Sequence, residues 1–195
     1  MIIVKNIIIF GQPRCGKSTL ANMIVDKFGY QVIHVDSIRD TFKKVYPELD
    51  ITPNEAIKNE KFQLFLHEYL NRNTIKEERN KYSYVVEGCE TSVDDCNKLY
   101  NNGNNIIYYL GATQITPNEL LNNIRSHDTS CDWTNKLSDG ELMKCVKNII
   151  SKSIDIENDC KKYNINFIDT SINREKKLNI IIKDIECELK KEKKI

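Results

Sequence analysis

A parallel, doubly wound α/β fold is the architecture this sequence predicts, and three observations carry the prediction. Short apolar runs alternate with amphipathic stretches of helical period along the 195 residues. The first run ends in Ile7-Ile8-Ile9-Phe10, apolar without alternation, as in a central strand covered on both faces. The intervening helices announce their starts: Thr52-Pro53-Asn54-Glu55, Thr116-Pro117-Asn118-Glu119 and Ser138-Asp139-Gly140-Glu141 all have the spacing of a capping box.

The elements follow in order. Residues 3 to 10 form the first strand. A helix runs from Lys17 to Phe28, with Leu20, Ile24 and Phe28 spaced by four and Gly29 as its C-terminal cap. Gln31 to Val35 is the second strand, ending at Asp36. Residues 37 to 80 are mostly helical, first from Ser37 to Val45 and then in a helix with Phe62, Phe65, Leu66 and Tyr69 on one face. Tyr82 to Glu87 is the third strand, and Ser92-Val93-Asp94-Asp95 opens a helix ending near Gly103. Ile106 to Leu110 is the fourth strand. A helix from Thr116 to Ser126 leads to a polar segment, and a long helix then extends to Tyr163. Asn164 to Asp169 is the fifth strand. A last helix over 173 to 192 turns Leu178, Ile181, Ile182, Ile185 and Leu189 inward.

Length predicts one domain over residues 1–195. Hydrophobic residues make up 40% and charged residues 29%, the balance of a globular chain. The net charge of +1 supplies no field to draw the molecule to nucleic acid or a membrane surface. The first apolar run is too short for a membrane span or a secretion signal. Seven cysteines at scattered positions, without C-x-x-C or histidine at zinc spacing, argue against a disulfide framework or a structural zinc. They read as small core residues of a cytoplasmic protein.

The chemistry begins at Gly11-Gln12-Pro13-Arg14-Cys15-Gly16-Lys17-Ser18-Thr19. This is G-x-x-x-x-G-K-[ST] placed between a strand and a helix, a phosphate-binding P-loop. Gly11 and Gly16 let the backbone curl so that amides around Arg14, Cys15 and Thr19 point at phosphate oxygens. Lys17 reaches the β- and γ-phosphates, Ser18 offers its hydroxyl to Mg²⁺, and the helix directs its positive end at the same anion. Cys15, a loop spacer, is also a candidate for oxidation.

Ligands of a parallel sheet sit beyond the carboxyl ends of its strands. Asp36, Glu87 and Asp169 fall there. Asp36 is the candidate base for the proton of an attacking hydroxyl, or a cap of the following helix. Glu87 before Gly88 has Walker-B-like placement to orient a metal-bound water, and Gly88 would let a substrate approach the backbone. Arg125, where the polar segment begins, is the candidate for the charge on the transferring phosphate, with residues 126–137 as a lid. Arg39, one turn from Asp36, would read an acidic group on the acceptor or form a surface salt bridge. Arg174 would border the purine base. Trp133 reads as packing. His34, alternating with Ile33 and Val35, reads as structural.

These residues in this order resemble the P-loop kinases of the nucleoside monophosphate kinase type. The resemblance implies a three-layer sandwich, the P-loop NTP hydrolase fold, with a five-stranded parallel sheet in the order 2-3-1-4-5. It also implies a mobile acceptor-binding region near residues 37–80, a lid, and ATP with Mg²⁺. Gly11-Gln12-Pro13, Gly16-Lys17-Ser18, Asp36 followed by Thr41-Phe42-Lys43 and Pro47, and Val85-Val86-Glu87-Gly88 are similar to the zeta toxin family of small-molecule kinases, in which the Asp after strand two is the base. The Asp-Arg and Asp-Gly strand-three signatures of adenylate and thymidylate kinases are absent.

The resulting expectation is a cytoplasmic ATP-dependent kinase, monomeric or homodimeric, with a small-molecule phosphate acceptor: a nucleotide, nucleoside, sugar or nucleotide sugar. The competing expectation is a nucleotide-binding switch or NTPase without such an acceptor.

Overall fold

The computed structural model describes residues 5–49, 51–52, 56–80 and 83–192, with residues 74–80 described by backbone alone. In chain order the elements are β1 (Asn6–Gly11), α1 (Lys17–Phe28), β2 (Gln31–His34), α2 (Val35–Val45), a 3₁₀ turn (Pro47–Leu49), α3 (Glu60–Asn80), β3 (Tyr84–Glu87), α4 (Val93–Tyr100), β4 (Asn105–Gly111), α5 (Pro117–His127), a 3₁₀ turn (Trp133–Lys136), α6 (Asp139–Tyr163), β5 (Asn166–Asp169) and α7 (Arg174–Glu192). All strand pairs are parallel, and the order is β2-β3-β1-β4-β5. The chain thus adopts the three-layer P-loop architecture that the resemblance implies.

Central β1 is buried along its whole length, which explains its unalternating apolar sequence. Its side chains divide the core. Ile7 and Ile9 pack with Leu20, Ile24, Leu120, Ile124, Val146 and Ile181, on the face of α1, α5 and α7. Ile8 and Phe10 pack with Val35, Phe62, Leu66, Val93 and Tyr109, on the face of α2, α3 and α4. The long α6 serves both, with Leu142 and Val146 in the first cluster and Cys160 in the second.

The capping boxes at Thr116/Glu119 and Ser138/Glu141 form with both reciprocal hydrogen bonds, and Ser92 accepts from the Asp95 amide. Gly29 ends α1 in the left-handed conformation, φ 73°. The box expected at Thr52–Glu55 lies outside the described residues in its last three positions.

Three expectations need correction. Strand β2 stops at His34 and passes directly into α2, so Asp36 sits in the first helical turn rather than at a strand end. The aromatic face of α3 is split: Phe62 and Leu66 are in the core, whereas Phe65 and Tyr69 are 40% exposed, Phe65 against Phe42 of α2, which in turn meets Tyr46 just past that helix. Trp133 does not pack inside; it is 47% exposed.

Candidate active site

Sheet register builds the centre of the site. Glu87 pairs laterally with Ile9 of β1 and with His34 of β2, so three strand ends meet beside the P-loop. Glu87 is buried, yet its carboxylate faces polar partners on both sides. Oε2 accepts from Ser18 Oγ at 3.2 Å, and Oε1 lies 2.7 Å from His34 Nδ1. Asp36, exposed at the start of α2, completes a cluster: one donor atom each from His34, Asp36 and Glu87 lies within 4.8 Å of the others. Asp36 Oδ1 also accepts from the Ser37 amide at 2.8 Å, which orients the carboxylate.

The P-loop itself is built as its glycines require. Gly11 and Gly16 have φ of 133° and 89°, values open to glycine and costly for other residues. Lys17 is buried, and its Nζ donates to the Gln12 carbonyl at 2.8 Å, back across the loop. Thr170 Oγ1, just past β5, donates to the Cys15 carbonyl at 2.9 Å and fixes the loop from the other side. The Cys15 thiol is buried, and burial pushes its pKa up to about 11. A thiol held so far from ionisation is a poor target for oxidation, so the spacer role fits it. The Arg174 stem covers Gly16, at 3.3 Å from where a Cβ would stand, and its buried Nε has no hydrogen-bond partner.

Asp169, the third strand-end carboxylate, organises the neighbouring loops. It accepts from the amides of Thr113, Gln114 and Ser171 at 2.7, 3.0 and 2.8 Å, and from the Thr113 and Ser171 hydroxyls. Burial works against its charge, but the hydrogen bonds from Ser171 and Thr113 win and hold its pKa below the ordinary value.

The arginines are placed differently from the sequence expectation. Arg14 reaches the segment after α5: its guanidinium lies 2.8 Å from Asp128 and 2.5 Å from Asp132. Arg125 binds the same segment from within, donating to the Thr134 and Leu137 carbonyls at 2.9 and 2.7 Å and to Asp139 at 2.8 and 3.0 Å. Its donors are thus occupied by the segment's own frame. Arg39 forms the surface pair, with Asp40 at 2.8 Å and 68% exposed, and a buried pair besides. It is 11% exposed and bonds both Asp40 and the fully buried Glu90. Gly88 has a packing reason: a Cβ there would stand 2.6 Å from Glu90 Oε2 and 2.7 Å from Val35 Cβ. On the side where a Cβ would stand, the space is filled by protein.

His34 is the residue that sequence reasoning missed. Its alternation with Ile33 and Val35 suggested structure. The signal available was its place two residues before Asp36, at the end of a strand bordering the P-loop crevice.

Comparison with solved structures supports a shared fold. A gluconokinase from Sinorhizobium meliloti 1021 superposes with a TM-score of 0.57 at 12% identity, over 92% of this chain and 90% of that one. A shikimate kinase from Bacteroides thetaiotaomicron gives 0.50 at 14% identity, over 95% and 98%. An uncharacterized protein from Eubacterium ventriosum ATCC 27560 gives 0.52 at 13%, over 94% and 99%. No protein-family profile and no curated protein sequence matches. At these identities the likeness is one of fold, the fold of P-loop kinases of the nucleoside monophosphate kinase-like type.

Proposed function

We propose that this chain is an ATP-dependent, Mg²⁺-requiring kinase that transfers the γ-phosphate to a hydroxyl or phosphate of a small molecule. The observation that carries the reading is the meeting of Ser18, Glu87 and Asp36 at the mouth of the P-loop. One carboxylate beside Ser18 would serve Mg²⁺ in any P-loop protein; the second, Asp36, would supply the base that transfer to an acceptor hydroxyl needs.

The residues fit both cofactors. The orphaned Arg174 Nε and the Lys17 ammonium, bonded here only to a loop carbonyl, are cations suited to an anionic nucleotide. Ser18 and Glu87 supply the oxygen donors that Mg²⁺ favours. When bound, the metal neutralises charge on the β- and γ-phosphate oxygens.

Lys17 and the amides of Arg14 to Thr19 would bind the phosphates. Asp36 would accept the proton of the acceptor hydroxyl. As the new O–P bond forms, the bond from the γ-phosphorus to the bridging oxygen breaks, and the electron pair leaves with ADP. Residues 126–137 would act as a lid. In that lid Arg125 is a positioning residue, because its donors hold the Thr134 and Leu137 carbonyls and Asp139. Arg14 stands nearer the phosphates and would bring lid and loop together. Arg39 would position α2, and with it Asp36, through Glu90. The acceptor would lie along α2 and α3, within residues 37–80. A reducing cytoplasm suits the scattered cysteines. No described helix is long and apolar enough to cross a membrane.

The experiment is a binding and transfer assay on Asp36→Asn, across nucleosides, nucleotides, sugars and nucleotide sugars. Unchanged ATP affinity with phosphate transfer lost supports the assignment. Full transfer by the variant removes Asp36 from the chemistry, and failure of the wild type to bind ATP removes the function.

A further inference from the structure

We propose that His34 is a nitrogen ligand of the metal site, and that the site therefore favours a divalent transition-metal ion, Mn²⁺ or Co²⁺, over Mg²⁺. This rests on the kinase reading for the nucleotide, and it replaces that reading's Mg²⁺ with a transition-metal ion at the same Ser18 and Glu87 oxygens.

The donor set is the first argument. His34, Asp36 and Glu87 each offer an atom within 4.8 Å of the others, and Ser18 Oγ adjoins Glu87 at 3.2 Å. Metal–ligand bonds of about 2.1 Å set neighbouring donors of an octahedral ion about 3 Å apart and opposite donors about 4.2 Å apart. The cluster's 4.8 Å limit is about 0.6 Å wider than the larger of these, so small side-chain movements would close it.

The second argument is how the histidine is held. Lateral register of β2 on β3 fixes His34 beside Glu87. At 2.7 Å the His34 Nδ1–H donates to Glu87 Oε1, which orients the ring and leaves the lone pair of Nε2 for a cation. Glu87 is buried and cannot turn away to water, whereas the His34 side chain is 41% exposed and is free to rotate towards an ion at the crevice.

Chemistry decides the selectivity. Mg²⁺ takes oxygen donors and dehydrates reluctantly, whereas imidazole suits first-row transition ions, among which Co²⁺ stands above Mn²⁺ in affinity. A site of two carboxylates and a hydroxyl would suit Mg²⁺; one imidazole added to them shifts the preference.

The test uses the full chain loaded with Mn²⁺, with and without ATP, and follows the bound ion by electron spin resonance. Pulsed spectra should show coupling to a coordinated imidazole nitrogen. The coupling should change when the histidines carry ¹⁵N and should vanish in His34→Gln. In titrations the Mn²⁺ Kd should rise about tenfold in that variant, while the Mg²⁺ Kd changes by less than about twofold. Mn²⁺ that binds without a histidine-derived coupling, or that does not bind in either condition, overturns the proposal. So does a folded His34→Gln with its Mn²⁺/Mg²⁺ ratio unchanged. Should that variant not fold, the isotope substitution in the native chain decides alone. ATP binding with an all-oxygen Mn²⁺ site would leave the kinase reading standing and remove this one. Imidazole coordination without ATP binding would do the reverse.

Discussion

The Arg14 guanidinium of the P-loop lies 2.8 Å from Oδ1 of Asp128, joining two loops 114 residues apart in sequence. The carboxylate is 1% exposed and also accepts from Thr134 Oγ1 at 2.5 Å and faces Arg125 at 3.5 Å. Asp128 is thus the node through which the segment after α5 is held to the phosphate loop. Replacing it with Ala should destabilise the protein by about 2–3 kcal/mol, the range for losing hydrogen bonds to a buried charge. Hydrogen exchange should quicken across residues 128–137 and remain unchanged in β1. Uniform quickening across the sheet would contradict this local role.

Arg39 and Glu90 form the other buried link, between α2 and the turn after β3. Gln63 of α3 donates to the Glu90 carbonyl at 2.5 Å, and the Cys89 amide donates to Oε2 at 2.6 Å. Arg39→Met would strand the Glu90 charge without a cation and should cost about 3–5 kcal/mol in urea unfolding. The double variant Arg39→Met, Glu90→Met should lose clearly less than the single one. Additive losses would show that the two side chains do not act as a pair.

Among the described residues Lys17 makes one side-chain hydrogen bond, to the Gln12 carbonyl. Lys17→Met keeps the stem volume and removes the charge. Stability should therefore move by less than about 1.5 kcal/mol, while the ATP Kd should rise at least about tenfold, as read by calorimetry. A variant that binds ATP as the wild type does would place the phosphates elsewhere.

Alkaline pH should weaken the fold early. Burial raises the thiol pKa of Cys15 from 9.0 to about 11 and those of Cys96 and Cys160 to about 12. In the unfolded chain these thiols ionise near 9, and in the native protein they do not. Between pH 9 and 11 the native state therefore binds more protons, and stability falls as pH rises. The slope is up to about 1.4 kcal/mol per pH unit for each such thiol. Urea midpoints should be flat on this account below pH 8 and decline above 9. Serine at Cys96 and Cys160 should flatten the decline.

What could be read from sequence was whatever depends on neighbours along the chain. The P-loop, the Thr116 and Ser138 capping boxes and the Gly29 cap all involve residues within eight positions of one another, and all stand where the pattern puts them. The meeting of Ser18 with Glu87 was legible one step further, because strand ends in a parallel sheet share an edge. His34 against Glu87, Arg14 against Asp128 and Arg39 against Glu90 depend on register and side-chain direction between distant segments. No local pattern encodes those. Arg125 illustrates the limit well: its place at the end of a helix was legible, but whether its donors face a crevice or the Thr134 and Leu137 carbonyls is decided by the fold of the segment.

Strand β1 is a partition wall between two rooms with separate tenants. Its odd-numbered side chains, Ile7 and Ile9, pack on the side of α1, α5 and α7, and its even-numbered ones, Ile8 and Phe10, on the side of α2, α3 and α4. Shaving a methyl group from one residue or its neighbour should therefore soften opposite halves of the protein, although the two lie adjacent in sequence. On the proposed reading, in which the acceptor lies along α2 and α3, Ile8 and Phe10 give access to it from behind while leaving the packing of Ile7 and Ile9 intact.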